Sequence, residues 1–380
     1  MSANHNTARQ SAASPRAALS ADSLSAASPR AALSALRRLH TECAGSSDAV
    51  ADAPAASPAA ALAQIRRAWP GKDSSLTFEA VDRAGKLHAG HISAAGEVRL
   101  AAFGQDPKLP SLRVAPGQEL VVHRLGKRAV TIAEVVTKHL RAGKASAAGA
   151  ASALLAAPCR QAGIDTATIV DSGPSHLSFA KLPGRTLHQL GGEGMTGWLE
   201  LAQRWGNLVS LPPPPSLPLH GPVQEASVLR TWLAHAQQHS SLPHLDALER
   251  AVEQTCAQLL HAHTPQQSWV ITHRDLHDKQ VLWDGAALSL LDLDTAALAE
   301  GALDLGNLCA HIHLRLLQGV YPPQMAGFLT DLVAQMAARQ GISEPRLATY
   351  HRAARLRLAF VYSFRPTSAA WLEQWVAQTL

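Results

Sequence analysis

Cysteine is scarce in this chain: four in 380 residues, Cys43, Cys159, Cys256 and Cys309, far apart, with no C-x-x-C pair. No histidine stands near them at zinc-finger spacing. This excludes a disulfide-stapled framework and a finger-type zinc motif, and points to a reduced, cytoplasmic setting. Aromatic residues make up only 4%. Much of the apolar fraction is alanine, which buries little area and favours helix, so the fold should be more helical than stranded. No run of eighteen apolar residues escapes charge, and the opening MSANHNTARQ has no apolar centre. Neither a membrane span nor a signal peptide is expected. A basic stripe interleaved with aromatics is also missing. The formal charge is +5, but residues 1–70 hold seven arginines against four acids, which leaves the rest nearly neutral. Nucleic acid is not an expected partner. What remains, at 47% apolar and 17% charged, is a soluble protein of one or two domains with a sizeable core.

The segment SAASPRAALSA occurs twice, at residues 11–21 and 25–35, and an Ala/Ser/Pro mixture continues to Pro58. With so few large apolar groups it cannot offset ordering entropy, so residues 1–65 read as a mostly disordered tail. From about residue 74 the texture turns to short β-like runs, at 76–81, 86–93, 97–103, 119–124, 128–132 and 134–140. Together they read as one antiparallel sheet. An Ala/Leu-rich helix follows at 145–157, and a last strand at 175–182 is ended by Pro183-Gly184. Beyond that, helical periodicity takes over. Trp198, Leu201, Ala202, Trp205 and Leu208 share one face, as do Leu245, Leu248, Val252, Cys256 and Leu259, and residues 324–380 hold at least three more helices. The tryptophans at 198, 205, 232, 269 and 283 read as core. His311 and His313, like His261 and His263, are two apart on helices and so face different ways, which argues against a shared metal.

The helical part is interrupted once, by HRDLHDKQ at 273–280 and VLWDGAALSLLDLD at 281–294. Asp284-Gly285 between two apolar runs signals a hairpin. A loop of four or five residues sets pairing partners that sum to 571 or 572, and the second register brings Gln280 across from Asp292. An amide oxygen and a carboxylate then converge on one spot. Asp275 lies five residues before Gln280, and Asp294 adds another carboxylate. Magnesium takes oxygen ligands, usually one or two from protein, and retains substrate phosphates. The group suits phosphoryl transfer.

His273-Arg274-Asp275, an amide five further on, and Leu291-Asp292 resemble a kinase catalytic loop and metal loop. The continuation LDLD and the run GALDLGN at 301–307 resemble the aminoglycoside phosphotransferase and choline kinase-like family more than protein kinases, since neither D-F-G nor A-P-E is present. The resemblance implies an α+β, two-lobed, protein-kinase-like fold. Residues 66–182 would form a small antiparallel N-lobe on the nucleotide side, and 183–380 a larger helical C-lobe with the acceptor site. It implies ATP and Mg2+ as cofactors. Asp275 would be the base, Gln280 and Asp292 the metal ligands, and Asp304 a structural acceptor. Lys138, in EVVTK, would contact nucleotide phosphates, Gly126 would sit in the hairpin over them, and Lys181 and Leu182 lie in the segment resembling the hinge against which adenine stacks.

Three departures accompany the resemblance. Gln280 replaces the usual asparagine and adds a methylene, the helix at 145–157 has no acid to pair with Lys138, and no G-x-G-x-x-G exists. His277 and Asp278 read as loop-shaping. Asp294 is a candidate for a second ion or the acceptor, and equally for capping a helix at 295–298. From Ala296 onward five acids face seven arginines. A polycationic aminoglycoside would call for an acid surplus, so the acceptor expected is a neutral or anionic small molecule bearing a hydroxyl. The rival expectation is a kinase-fold nucleotide-binding or scaffold protein without turnover.

Overall fold

The computed structural model describes residues 30–45, 62–261 and 265–380. It begins with a helix, α1 (Ala31–Gly45), where a tail is expected from composition. Ala32, Ala35, Leu36, Leu39 and Cys43 recur at helical spacing and are all buried, against Leu62, Ile65, Leu76 and Phe78. The alanines and serines around them hide this stripe from a composition argument, but Leu36, Leu39 and Cys43, with Leu33 beside them, are enough to dock a helix. The rest of residues 1–29 and 46–61 of the expected tail lies outside the described residues.

The strands form two sheets rather than one. β1 (Leu62–Pro70), β2 (Leu76–Asp82), β3 (Leu87–Ile92) and β4 (Val98–Leu100) make an antiparallel meander that carries α1. It rests on the C-terminal part through Phe364, whose carbonyl accepts from the Ala68 amide and whose buried ring joins the same cluster. The second sheet contains β5 (Glu119–Arg124), β6 (Arg128–Ile132) and β7 (Val135–Leu140), then, after α2 (Ala145–Gln161) and β8 (Ile164–Thr166), β9 (Ile169–Gly173) and β10 (His176–Ala180). Its order is β5-β6-β7-β10-β9. Alternating burial states which face of a strand is covered, not which strand lies beside it, so the division was not readable.

The remaining chain is mostly helical, as expected. β11 (Arg185–Thr186) and the short α3 (Leu187–Leu190) lead to α4 (Met195–Val209), α5 (Pro222–His239) and α6 (Leu245–His261). Then come β12 (Val270–Thr272), β13 (Val281–Trp283), β14 (Leu288–Leu290) and β15 (Ala297–Ala299), followed by α7 (Ala302–Leu317), α8 (Pro323–Arg339), α9 (Glu344–Tyr362) and α10 (Ala369–Ala377). The faces read for α4 and α6 are the buried ones, with Leu245 packed at the margin. One core gathers α4, β13, β14, α7 and α8 around Trp198, Trp205 and Tyr321, and a second gathers α5, α6, α9 and α10 around Phe360 and Trp375. β8 pairs in parallel with β14, which fastens the strand after α2 to the hairpin below the cleft. No helix among the described residues is long and apolar enough to cross a membrane, and none of the four cysteines is in a disulfide.

Candidate active site

The β13–β14 hairpin forms as the Asp-Gly signal implies. The Asp284 carboxylate accepts from the amides of Ala286 and Ala287 at 2.8 and 2.7 Å, and Gly285 takes φ +105°. Val281 pairs with Leu290, the register that sums to 571, so Gln280 faces Leu291 and its carbonyl accepts from the Leu291 amide at 2.9 Å. Asp292 is therefore one residue past the expected partner. It turns out of the strand with φ +56°, a left-handed conformation, and lines the same cavity as Gln280.

The loop before the hairpin hangs from one face of α7. Asp304, buried in the first turn, accepts from the His273 amide at 2.6 Å and the Arg274 amide at 2.8 Å. These bonds hold Arg274 at φ +69° and act as the expected scaffold. Burial is the leading influence on the Asp304 carboxyl and pushes it up to about 6, against the pull of His273 and the two amides. Asn307 donates to the Leu276 carbonyl at 3.0 Å. Arg315 grips Asp278 with two nitrogens, at 2.7 and 2.9 Å, both side chains being 1% exposed. His188 and the Tyr321 hydroxyl complete the shell of Asp278. Burial alone would raise the Asp278 carboxyl, but these partners hold it well below the usual carboxylate range. The loop-shaping role read for Asp278 is thus the observed one. Its clamp was missed, although Asp304, Asn307, His311 and Arg315 recur at helical spacing within an apolar helix, a pattern that marks a buried polar seam.

His273 Nε2 donates to the Leu291 carbonyl at 2.7 Å and ties the loop to the hairpin end. Asp275 has 45% of its side chain exposed and lies 3.8 Å from His277 Nε2. His277 stacks on His311 at 4.2 Å between ring centroids.

Lys138 comes to this spot from the sheet above. On β7 it pairs with Val130 and Leu177. Its Nζ donates to Asp292 Oδ1 at 2.7 Å and to both carboxylate oxygens of Asp294 at 2.8 Å. For Asp292 burial acts upward, but the Lys138 charge prevails and the carboxyl lies below its ordinary value. For Asp294 burial, helped by the neighbouring Asp292 charge, wins and raises it. Asp294 does not cap a helix at 295–298: residues 293–295 form one tight turn and 297–299 are β15. α2 contains no acid, as the sequence shows, so Asp294 occupies the role an acidic helix residue would have had.

A cavity of about 280 Å3 lies between the lobes, walled by Val122, Val130, Val136, Phe179, Leu182 and Leu290, with Lys138, Gln280 and Asp292 at its polar end. An apolar slot with a few convergent polar groups is the usual form of a small-molecule site. Four expected residues, Asp275, Asp294, Lys181 and Gly126, are not among its lining. Lys181 is exposed on the hinge, while its neighbours Ala180 and Leu182 face in. Gly126 has the turn conformation, φ +66°, but its amide donates to Asp106 at 2.5 Å, so that N–H is already engaged.

Residues 181–342 match the phosphotransferase enzyme family. The match takes in the 273–280 loop, the β13–β14 hairpin, α7 and α8, and leaves out the sheet that carries Lys138. No curated protein matches the chain in sequence. Solved structures it is similar to include the aminoglycoside phosphotransferase APH(3'')-Id from Streptomyces rimosus, at 20% identity over 64% of this chain and 92% of that one, TM-score 0.47. Another is a choline/ethanolamine kinase family protein from Mesorhizobium loti, at 13% identity over 72% and 91%, TM-score 0.49. A glucosamine kinase aligns at 16% identity over 83% and 90%, TM-score 0.42.

Proposed function

We propose that this protein transfers the terminal phosphoryl group of ATP to a hydroxyl of a small molecule, with Mg2+. One observation carries the reading: Lys138 from the upper sheet meets Asp292 and Asp294 from the lower hairpin at the polar end of an apolar slot. The residues present fit both cofactors. A base would enter between Val122, Val130, Phe179 and Leu182, and the phosphates would reach the ammonium of Lys138. The oxygen donors for magnesium are the Gln280 amide and the Asp292 carboxylate, and a cation already lies against the latter in the form of Lys138 Nζ. Bound magnesium supplies charge neutralisation on the phosphates. Phosphoryl transfer leaves little else for a protein to do but position and stabilise. Asp275, whose side chain is 45% exposed and accepts no hydrogen bond among the described residues, is free to orient the acceptor hydroxyl and take its proton.

The acceptor is better matched to a neutral or anionic compound than to an aminoglycoside. The arginine surplus after Ala296 is partly structural: Arg315 is buried on Asp278 and Arg346 on Glu300. Asp304 is likewise consumed by backbone amides. Setting these aside on both sides does not produce the acid surplus that several ammonium groups need. The rival, nucleotide binding without turnover, draws on the longer side chain of Gln280. A screen of hydroxylated metabolites for magnesium-dependent ADP release separates the two. Release with a neutral or acidic acceptor supports the proposal. Thermal stabilisation by Mg-ATP with no product for any acceptor supports the rival, and a response to aminoglycosides alone refutes the acceptor class.

A further inference from the structure

His311 and His313 do face different ways, but each joins a separate cluster. His311 stacks on His277 and belongs to the active site. His313 turns to α9, where it meets Cys309, one helical turn before it, and His351. One ligand atom of each residue lies within 4.8 Å of the others. No histidine stands near a cysteine at zinc-finger spacing, but Cys309 and His313 are four apart on a helix and share a face. The two imidazole rings stand edge to face at 4.9 Å. Cys309 is buried and both histidines are half-buried.

Hydrogen bonding prepares one of the three donors. The Thr330 hydroxyl donates to the Ala326 carbonyl at 2.8 Å, so toward His313 Nε2, 3.3 Å away, it can only accept. His313 then carries its proton on Nε2 and keeps a lone pair on Nδ1. This is the outer-shell arrangement that orients metal-binding histidines. His351 Nε2 is buried with no hydrogen-bond partner, an uncompensated desolvation that a cation would relieve. Arg355, a turn beyond His351, donates to the Gln378 carbonyl and the Thr379 hydroxyl and lies over Trp375, and, after the larger effect of burial, its charge reaches the cluster, acting downward on both histidines and the Cys309 thiol.

We propose that Cys309 Sγ, His313 Nδ1 and His351 Nε2 bind one Zn2+ ion, with the fourth tetrahedral position open to water. One sulfur and two nitrogens at about 2.3 and 2.0–2.1 Å form a donor set that zinc accepts and magnesium does not. The Cys309 thiol gives its proton to solvent as the Zn–S bond forms, and no redox change is involved. The ion would pin α7 to α9 directly behind Asp304, Asn307 and Arg315, the residues that hold the catalytic loop.

The full-length protein, dialysed against zinc and then against metal-free buffer, should retain one equivalent by elemental analysis. Zn2+ should raise its melting temperature without nucleotide. Co2+ in its place should give a thiolate-to-cobalt charge-transfer band that Cys309→Ser removes. Thr330→Val, which leaves all three donors in place, should weaken binding roughly 10–100-fold by freeing the His313 ring. His351→Ala should abolish retention, whereas Asp275→Ala, in the other cluster, should leave it at one equivalent. The proposal is overturned if no zinc is retained, if cobalt binds without the thiolate band, or if His351→Ala retains zinc as the parent does. The wild-type cobalt spectrum decides the matter even if a variant does not fold.

Discussion

The ammonium of Lys138 lies 2.8 Å from each carboxylate oxygen of Asp294, a residue 156 positions further along the chain. Residues that resemble this lysine elsewhere are steadied by an acid on the neighbouring helix, and α2 has none. The second aspartate of LDLD supplies the charge from below instead. One consequence is that Lys138 is shared between two carboxylates, only one of which is needed for a metal.

Removing that carboxylate should therefore be costly. A charge-assisted hydrogen bond is worth about 1.5–3 kcal/mol, so Asp294→Asn should lower kcat/KM for ATP by roughly tenfold or more. Most of the effect should appear in KM, because Lys138 loses its anchor but keeps its charge. Steady-state kinetics at saturating acceptor gives the answer. Unaltered constants would mean that the sheet alone positions Lys138.

Asp275 is separated from this network. Its side chain is 45% exposed, with His277 Nε2 3.8 Å away. If it takes the acceptor proton, Asp275→Asn should reduce turnover by about 10²–10⁴ while nucleotide affinity stays near its parent value. Product formation and calorimetric titration of Mg-ATP, measured on the same preparation, check both halves. Parent-like turnover would remove Asp275 from the mechanism.

The Asp278–Arg315 pair carries a different load, since both side chains are 1% exposed. Breaking a buried pair from one side strands a charge, and Arg315→Met should cost about 3–5 kcal/mol in chemical denaturation. Replacing both partners, with Asp278→Asn added, should cost less than the two single changes summed. Strict additivity would show that the two side chains are not energetically coupled.

Stability should also depend on pH in a direction set by buried imidazoles. Burial, foremost, lowers His139 to about 4 and holds His311 well below its ordinary value. The unfolded chain binds protons at these positions from about pH 6.5 downward, before the folded one does. Their contribution is complete above that value and is lost as the pH falls through 4. Asp304, raised to about 6, acts oppositely over the same window, because the folded state takes its proton first. The lowered histidines, which also include His351 at about 3, outnumber the raised carboxyls Asp294 and Asp304 and leave a net decline in melting temperature as the pH falls below 6.5, measured by calorimetry in chelator. His139→Gln should flatten it.

These residues show what was legible beforehand and what was not. The bounds of β5 and β6 follow from alternation around a turn, and the roles of Asp304 and Asp278 follow from a motif whose parts are near in sequence. The hairpin register was open by one residue because loop length, which the sequence does not fix, sets it. The partners of Asp278, at 188 on α3, 315 on α7 and 321 in the connection to α8, and the third member of the Cys309 cluster, at 351 on α9, come from distant parts of the chain. Periodicity assigns them to a buried face without naming what they meet there.

The same limit explains α1, and it yields the last prediction. Ala32, Ala35, Leu36, Leu39 and Cys43 form a stripe that composition averages away, yet Leu36 is fully buried against the meander. Leu36→Ala should then cost about 2–5 kcal/mol, the range for large-to-small changes in a core. A truncation that starts near residue 65 would remove α1 and the first residues of β1 together. It should expose Ile65, Leu76 and Phe78, and melt well below the full chain or aggregate. Thermal melts of the full chain, Leu36→Ala and the truncation, made side by side, test this. Equal melting temperatures for all three would mean that the helix adds nothing to the stability of the sheet it covers.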